Sequence, residues 1–308
     1  MRRILFWGGG LLLLWLVWIG ISLALLPPVS TLKEPRTSLT IRVRDWKGNE
    51  HPFVVGPQNR YWTPLARIPA EMKWGVILAE DSNFYRHEGV DVTALKKALS
   101  YDLEKKRLAR GASTITQQTA KNLFLSREKT ITRKLKELYL AVRMEQELTK
   151  GRILELYLNL VELGPMVYGV GHGSRYYFGK PPALLTPREA SFLAAMLPGP
   201  RVAYNPYRNL GKVLKRSDMI LGLMRKKGVL SEEEYQAALR EIPNIAGMQR
   251  KVERAIQQPP ILEQASSAHP PPPVEQNEAP RDRSDADREP PPSGSGGERR
   301  EEPGAAAK

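Results

Sequence analysis

The sequence predicts a mainly α protein with a membrane-spanning N-terminal helix, one helical domain of about 200 residues and a disordered C-terminal tail. Three observations lead there. Residues Ile4 to Leu26 run for 23 positions without an ionisable group. From about Ile68 to about Ala246, apolar residues recur at helical spacing. From about Gln257 onward the chain has no aromatic residue and is rich in Pro, Gly, Ser and charge.

Residues 1–28 read as the anchor. As a helix, the 23-residue run spans roughly 34 Å at about 1.5 Å per residue, enough to cross a bilayer core. Arg2 and Arg3 precede it and Pro27-Pro28 end it. Ser22-Leu23-Ala24 is a passable signal-peptidase site, but the run is longer than a usual signal core and carries Trp7, Trp15 and Trp18, which favours a retained anchor. Lys33, Arg36, Arg42, Arg44 and Lys47 follow closely, so charge counting alone does not place the remainder outside the cell. Orientation has to come from chemistry.

Residues 29–60 read as a short linker with a hairpin. Leu39, Ile41 and Val43, then Phe53, Val54 and Val55, flank a Lys47-Gly48-Asn49 turn. Residues 61–250 form the helical domain. Asp91 or Thr93 can cap a helix carrying Leu95, Ala98, Leu99 and Leu103. From Thr130, Ile131, Leu135, Leu138 and Val142 make one apolar stripe, and Ile153, Leu154, Tyr157, Leu158 and Val161 make another after Thr149-Lys150-Gly151. Further helices are expected over Pro187 to Met196, Val213 to Arg225 and Ser231 to Leu239. Residues 251–308 cannot bury enough apolar surface to offset their ordering entropy.

The chain has no Cys, which excludes a disulfide-stapled module, thiol catalysis and Cys-ligated zinc. His51, His87, His172 and His269 share no metal-binding spacing, so any metal would be held by oxygen. The tail carries 8 basic and 11 acidic residues, which leaves the first 250 with 39 against 22. That basic body requires a negative partner: nucleic acid, anionic lipid or a phosphorylated substrate.

Two short matches lead nowhere. Ser126-Arg127-Glu128-Lys129 fits an acylating-serine pattern whose partner signatures are absent, so it reads as a helix cap. Gly169, Gly171 and Gly173 resemble a dinucleotide loop, but no βαβ unit surrounds them, and no nucleotide site is expected.

Three segments carry chemistry. In Ile77 to Gly89, Glu80 and Asp81 follow an apolar stretch, and a partly buried Glu there acquires the raised pKa of a general base. A surface turn capped by Asp81 is the plain alternative. In Gly111 to Asn122, seven hydroxyl or amide side chains with Lys121 near the end make a donor-rich surface suited to sugar hydroxyls and phosphate oxygens. A solvated polar loop has much the same composition. In Arg133-Lys134-Leu135-Lys136-Glu137, Arg133, Lys134 and Glu137 share about one 100° arc away from the apolar stripe. On most helices that is a solvated ion-pair row; it becomes a site only if the face lines a cleft.

Together these segments resemble the family 51 peptidoglycan glycosyltransferases. That pattern runs E-D-x-x-F-x-x-H-x-G, G-x-S-T-I-T-Q-Q-x-x-K-N and R-K-x-x-E, and here Glu80 and Glu137 stand 57 positions apart. A fourth element is matched by Lys150 to Asn159, and a fifth by Tyr176 to Lys180 with Leu197-Pro198, so the resemblance covers roughly residues 60 to 210. Ala112, Thr119 and Gly171-His172-Gly173-Ser174 depart from the family pattern without removing a catalytic position.

The resemblance implies a lysozyme-like helical lobe with a smaller membrane-embedded region, in a monofunctional, single-pass protein of the cytoplasmic (inner) membrane whose catalytic domain is periplasmic. It implies an inverting transfer that joins lipid II, the lipid-linked disaccharide-pentapeptide, into glycan strands with release of undecaprenyl pyrophosphate. By that resemblance Glu80 is the base and Glu137 the second catalytic carboxylate. With Arg133 and Lys134, Glu137 would position the pyrophosphate or a divalent cation such as Mg²⁺. Asp81, Phe84, His87 and Gly89 would shape the cleft, and Ser113, Thr114, Gln117, Gln118, Lys121 and Asn122 would contact sugar and phosphate. The implied partners are the growing strand, membrane lipids and separate cross-linking transpeptidases, with no nucleic acid. Two other readings stand beside it: a lytic transglycosylase or muramidase, and a non-catalytic cell-wall scaffold. The cationic Arg133/Lys134 pair opposes the first, since cutting a neutral glycosidic bond needs no pyrophosphate clamp. The presence of both glutamates opposes the second.

Overall fold

The computed structural model describes residues 2–96, 100, 113–126, 128–246 and 248. The chain divides into a unit of residues 1–259 and another of 260–308, and all described residues belong to the first. The expected tail, Gly111 and Ala112 lie outside the described residues.

The helices expected over residues 130–161, 187–196, 213–225 and 231–239 form, and their caps explain where they start. Most of the one expected to carry Leu95, Ala98, Leu99 and Leu103 lies outside the described residues. The apolar N-terminal run is α1 (Arg2–Ala24). One stretch, Leu13–Leu32, is long and apolar enough to cross a membrane, and of its residues only Val29 and Leu32 are buried. A hairpin follows, β1 (Leu39–Arg44) paired antiparallel with β2 (Glu50–Val55). Then come α2 (Ala70–Glu80), α3 (Ile115–Phe124), α4 (Ile131–Glu147), α5 (Lys150–Leu160), a two-stranded β3 (Glu162–Gly164) and β4 (Val167–Tyr168), α6 (Val170–Phe178), α7 (Pro187–Met196), α8 (Pro206–Lys226) and α9 (Glu232–Arg240). Thr114, Thr130 and Thr149 cap α3, α4 and α5, each accepting the N–H three residues on. Thr186 with Glu189, and Ser231 with Glu234, form complete capping boxes on α7 and α9. Asp91 caps a helical turn starting at residue 92 by accepting the Ala94 N–H at 2.8 Å.

The core is built around α7, on which every residue from Arg188 to Met196 is buried. Such a helix must be enclosed on all sides, and α2, α6, α8 and α9 pack around it. α3 lies against α4 and α5. The only buried charge on α7 without a capping role, Arg188, bonds Ser217 at 3.2 Å and Asp218 on α8.

Three expectations change. Residues 29–60 are no linker: Val29, Leu32, Ile41, Val43 and Val55 join the core. Polar groups fix the segment as well. Arg152 donates to the Leu32 carbonyl at 2.9 Å, and Arg201 donates to those of Arg44 and Asp45 at 2.6 and 3.2 Å. The Ser126 segment caps no helix, since Thr130 takes that role. The stripe on α4 is turned outward: Ile131, Leu135 and Val142 are exposed, while Glu137, Leu140, Ala141 and Met144 face in. Periodicity locates a face; it does not say whether core or another apolar medium covers it.

Candidate active site

Glu80 is the last residue of α2, and its carboxylate is 13 % exposed. Burial pushes its pKa up, against the opposing pull of Gln118, Arg216 and Lys121. The C-terminal end of a helix also disfavours negative charge. Gln118 Nε2 donates to Glu80 Oε2 at 3.1 Å, while the fully buried Tyr157 hydroxyl donates to Gln118 Oε1 at 3.3 Å. Tyr157 therefore fixes which end of the Gln118 amide meets the carboxylate. Arg216 on α8 lies 3.6 Å from Glu80 Oε1, bonds the Ala79 carbonyl at 3.3 Å and sits 5.5 Å from the Tyr204 ring.

Arg216 had no motif to announce it. Behind burial and the Gln118 hydrogen bond, it weakens the hold of Glu80 on its proton, because a cation at that range favours the carboxylate. In Arg216→Ala the acid limb of the pH–rate profile should move to higher pH, with most of the alkaline-plateau rate retained. An acid limb that stays in place would show that Arg216 does not act on Glu80.

Glu137 points inward from α4 and is 4 % exposed. Arg133 Nη1 donates to its Oε2 at 2.6 Å and Lys134 Nζ to its Oε1. Lys134 also reaches Gln117 Oε1 at 3.1 Å and Ser113 Oγ at 3.4 Å. Glu137 and most of Arg133 are thus interior while the Lys134 side chain stays 40% exposed, so the arc reaches from the interior to the surface and is not a fully solvated row. Both Glu137 oxygens are occupied by cations, and among the described residues no three His, Asp or Glu gather as a metal-binding group. That donor set does not fit a divalent cation, and no step is derived through one.

The two carboxylates thus bond, directly and through Lys134, to side chains of adjacent residues on α3, Gln118 and Gln117. Beside them opens a cleft of about 440 Å³. Gln118, Lys121, Asn122 and Arg133 line it, as do three residues absent from the motifs: Arg42, Ser126 and Lys129. Four cations face one carboxylate there, Glu162, which Arg201 holds at 2.6 Å. Lys129 stands four residues before Arg133, a spacing that was legible; Arg42 reaches the cleft only through the hairpin's docking.

The other candidates sit behind this surface. His87 Nδ1 accepts the Gly89 N–H at 3.1 Å, so Nε2 donates to Asp81 at 3.0 Å. Asp81 also accepts the Ile115 N–H at 2.9 Å, tying the end of α2 to the start of α3. Thr114 Oγ1 and Gln117 Nε2 both donate to the Gly89 carbonyl, at 2.7 and 3.3 Å. Phe84 is fully buried, with Lys150 Nζ 4.6 Å from its ring. Gly89 has φ +89°, and a Cβ there would lie 3.0 Å from the Ala141 backbone. These groups hold α2, α3 and α4 in register and keep Glu80 and Glu137 beside one cleft.

The same residues connect the chain to known proteins. A model of the transglycosylase family matches residues 49–225. The biosynthetic peptidoglycan transglycosylase of Nitrosospira multiformis is 39% identical over 201 residues, 65% of this chain and 80% of that protein. Penicillin-binding protein 1A of Escherichia coli is 39% identical over 219 residues, 71% of this chain and 26% of that protein. This chain therefore spans about a quarter of the penicillin-binding relative. A crystal structure of penicillin-binding protein 1A from Haemophilus influenzae aligns over 68% of this chain and 21% of that one, with 23% identity and a TM-score of 0.37.

Proposed function

The chain belongs to the transglycosylase family, and from that premise we propose that it polymerises lipid-linked disaccharide-pentapeptide into peptidoglycan glycan strands. The 4-hydroxyl oxygen of one unit attacks the anomeric carbon of the other, the bond to the diphosphate oxygen breaks, and the configuration inverts. Glu80 takes the hydroxyl proton. Its raised pKa suits that task, since a base works best when its pKa approaches the working pH. The negative charge that develops on the departing diphosphate calls for fixed cations. Arg133, held by Glu137, and Lys121 line the cleft where it would leave. Glu137 then serves as the group that orients Arg133 and Lys134, with the two cations meeting phosphate oxygens.

The observation that carries this reading is the pairing of a buried Glu80, whose pKa is raised, with a cation-lined cleft that it adjoins through Gln118 of α3. A hydrolase acting on neutral sugar bonds has no use for the second half. The outward apolar face of α4 supports a position at a bilayer. Ile131 is 76% exposed, Leu135, Tyr139 and Val142 are exposed beside it, and Lys136 of the same helix lies 5.9 Å from the Trp18 ring of α1. With α1 as anchor, this face meets the outer leaflet of the cytoplasmic membrane, where the lipid-linked substrate resides.

The test sets purified lipid-linked precursor against intact sacculi. Polymer from the precursor and no soluble fragments from the sacculi is the expected result; fragments without polymer would establish the cleaving reading.

A further inference from the structure

The outer wall of the cleft is an open strand edge. Position 45 faces β2, because the Asp45 N–H bonds the Asn49 carbonyl at 3.0 Å. In an antiparallel ladder the facing alternates, so positions 44, 42 and 40 face away. Three contacts agree. The Arg44 carbonyl is taken by Arg201 from the far side at 2.6 Å. The Val54 carbonyl, opposite Thr40, turns away from β1 to accept Asn59 Nδ2 at 2.7 Å. Pro52, opposite Arg42, has no N–H to offer across the ladder. The N–H and C=O groups of Thr40 and Arg42 therefore project from the unpaired edge, and among the described residues no backbone group bonds them.

That edge opens onto the reaction space. The 440 Å³ cleft and an adjoining cavity of about 350 Å³ share Ile41, Arg42, Asn122, Leu125 and Ser126, so they run together along β1. β2 contributes only Glu50 to either. A slot bounded by an open strand edge and a loop is the setting in which an extended peptide adds as a further strand. Positions 40 to 44 span roughly 13 Å at about 3.3 Å per residue, room for about four residues of an extended peptide. Arg42 and Arg44 share one counter-charge, Glu50, and the Arg42 side chain is 80% exposed, which suits a peptide bearing carboxylates.

Resting on the polymerase reading above, we propose that the open edge of β1 binds the peptide stem of the lipid-linked substrate as an added strand, paired with the backbone of Thr40 and Arg42 while the sugars occupy the cleft. β1 lies outside the segment matched by the family model, residues 49–225. Stem recognition is then a property of this chain's N-terminal hairpin, not of the motif-bearing helices.

The test uses two donors, one with the full peptide stem and one with the stem removed. Thr40→Pro deletes an edge N–H that the hairpin does not use, and proline is tolerated at such edge positions. It should raise KM by up to about tenfold for the stem-bearing donor, the loss of one hydrogen bond, and leave the stemless donor within twofold. Equal shifts for both donors, or none, would overturn the proposal. Amide exchange on the wild-type chain gives a second readout that needs no variant. Thr40 and Arg42 should slow when stem-bearing donor is added and not with stemless donor; amides already slow in the free chain would mean that something else occupies the edge. Failure of the polymerase reading looks different: wild type makes no polymer from either donor, whatever the exchange shows.

Discussion

Glu80→Gln should lower turnover at least ~100-fold while donor binding stays within a few fold, as expected when a positioned base is removed but its shape and hydrogen bonding remain. The glutamine can still pair with Gln118, whose other end Tyr157 holds. Polymer yield within a few fold of wild type would remove Glu80 from the base role. The same substitution carries a stability signature of opposite sign. Burial raises the Glu80 pKa, so the folded chain holds this proton more tightly than the unfolded chain. The contribution of Glu80 to stability is then fully present at pH below the ordinary carboxylate range, and it is lost as pH rises through the raised value. At neutral pH the ionised side chain opposes folding, and Gln relieves that. Glu80→Gln should therefore melt no lower than wild type at neutral pH, and the difference should shrink on acidification. An inactive variant that also melts several degrees lower would show a structural failure instead.

The second large effect falls on the glycines that were set aside as a nucleotide loop. A Cβ on Gly171 would lie 1.9 Å from the Tyr61 carbonyl oxygen and 2.6 Å from Thr63 Oγ1. The first obstacle is backbone and cannot swing aside. Gly171→Ala should cost ~3 kcal/mol or more, the upper range for overpacking a close-packed site. It should also separate the neighbouring stack of His172 on Tyr61, whose rings lie 4.3 Å apart and nearly parallel. Denaturant unfolding measures the cost. A change within ~0.5 kcal/mol, typical of a surface position, would show that the segment at Tyr61 yields easily. The glycine run is thus explained by close packing: Gly171 meets the Tyr61 backbone, Gly169 the Asn159 backbone and Gly173 the Leu163 side chain.

These two positions mark what was legible in the chain. The helix starts at Thr130, Thr149 and Ser231 were readable because each cap acts within three residues of itself, whereas the α3 start at Thr114 was obscured by a segment read as a polar surface. The carboxylates were readable because their segments have an order that local chemistry and the family pattern both support. What stayed hidden depends on distant pieces of chain. Arg216 reaches Glu80 across 136 positions. Arg42 enters the cleft because Arg201 clamps the hairpin from 157 positions away. The inward face of α4 was misread for a different reason. An apolar stripe and a charged arc on opposite sides of a helix normally mean core and water, whereas here the arc carries Glu137 and Arg133 inward and Ile131, Leu135 and Val142 of the apolar stripe are exposed. The ion pairs tolerate that interior because each Glu137 oxygen has its own cation.

Product analysis on purified lipid-linked donor tests the central claim most directly, by counting lipid pyrophosphate released against glycosidic bonds formed. One pyrophosphate per new β-1,4 linkage, abolished in Glu80→Gln, is the predicted result. Bond formation that persists in that variant, or pyrophosphate released without any new linkage, would contradict it.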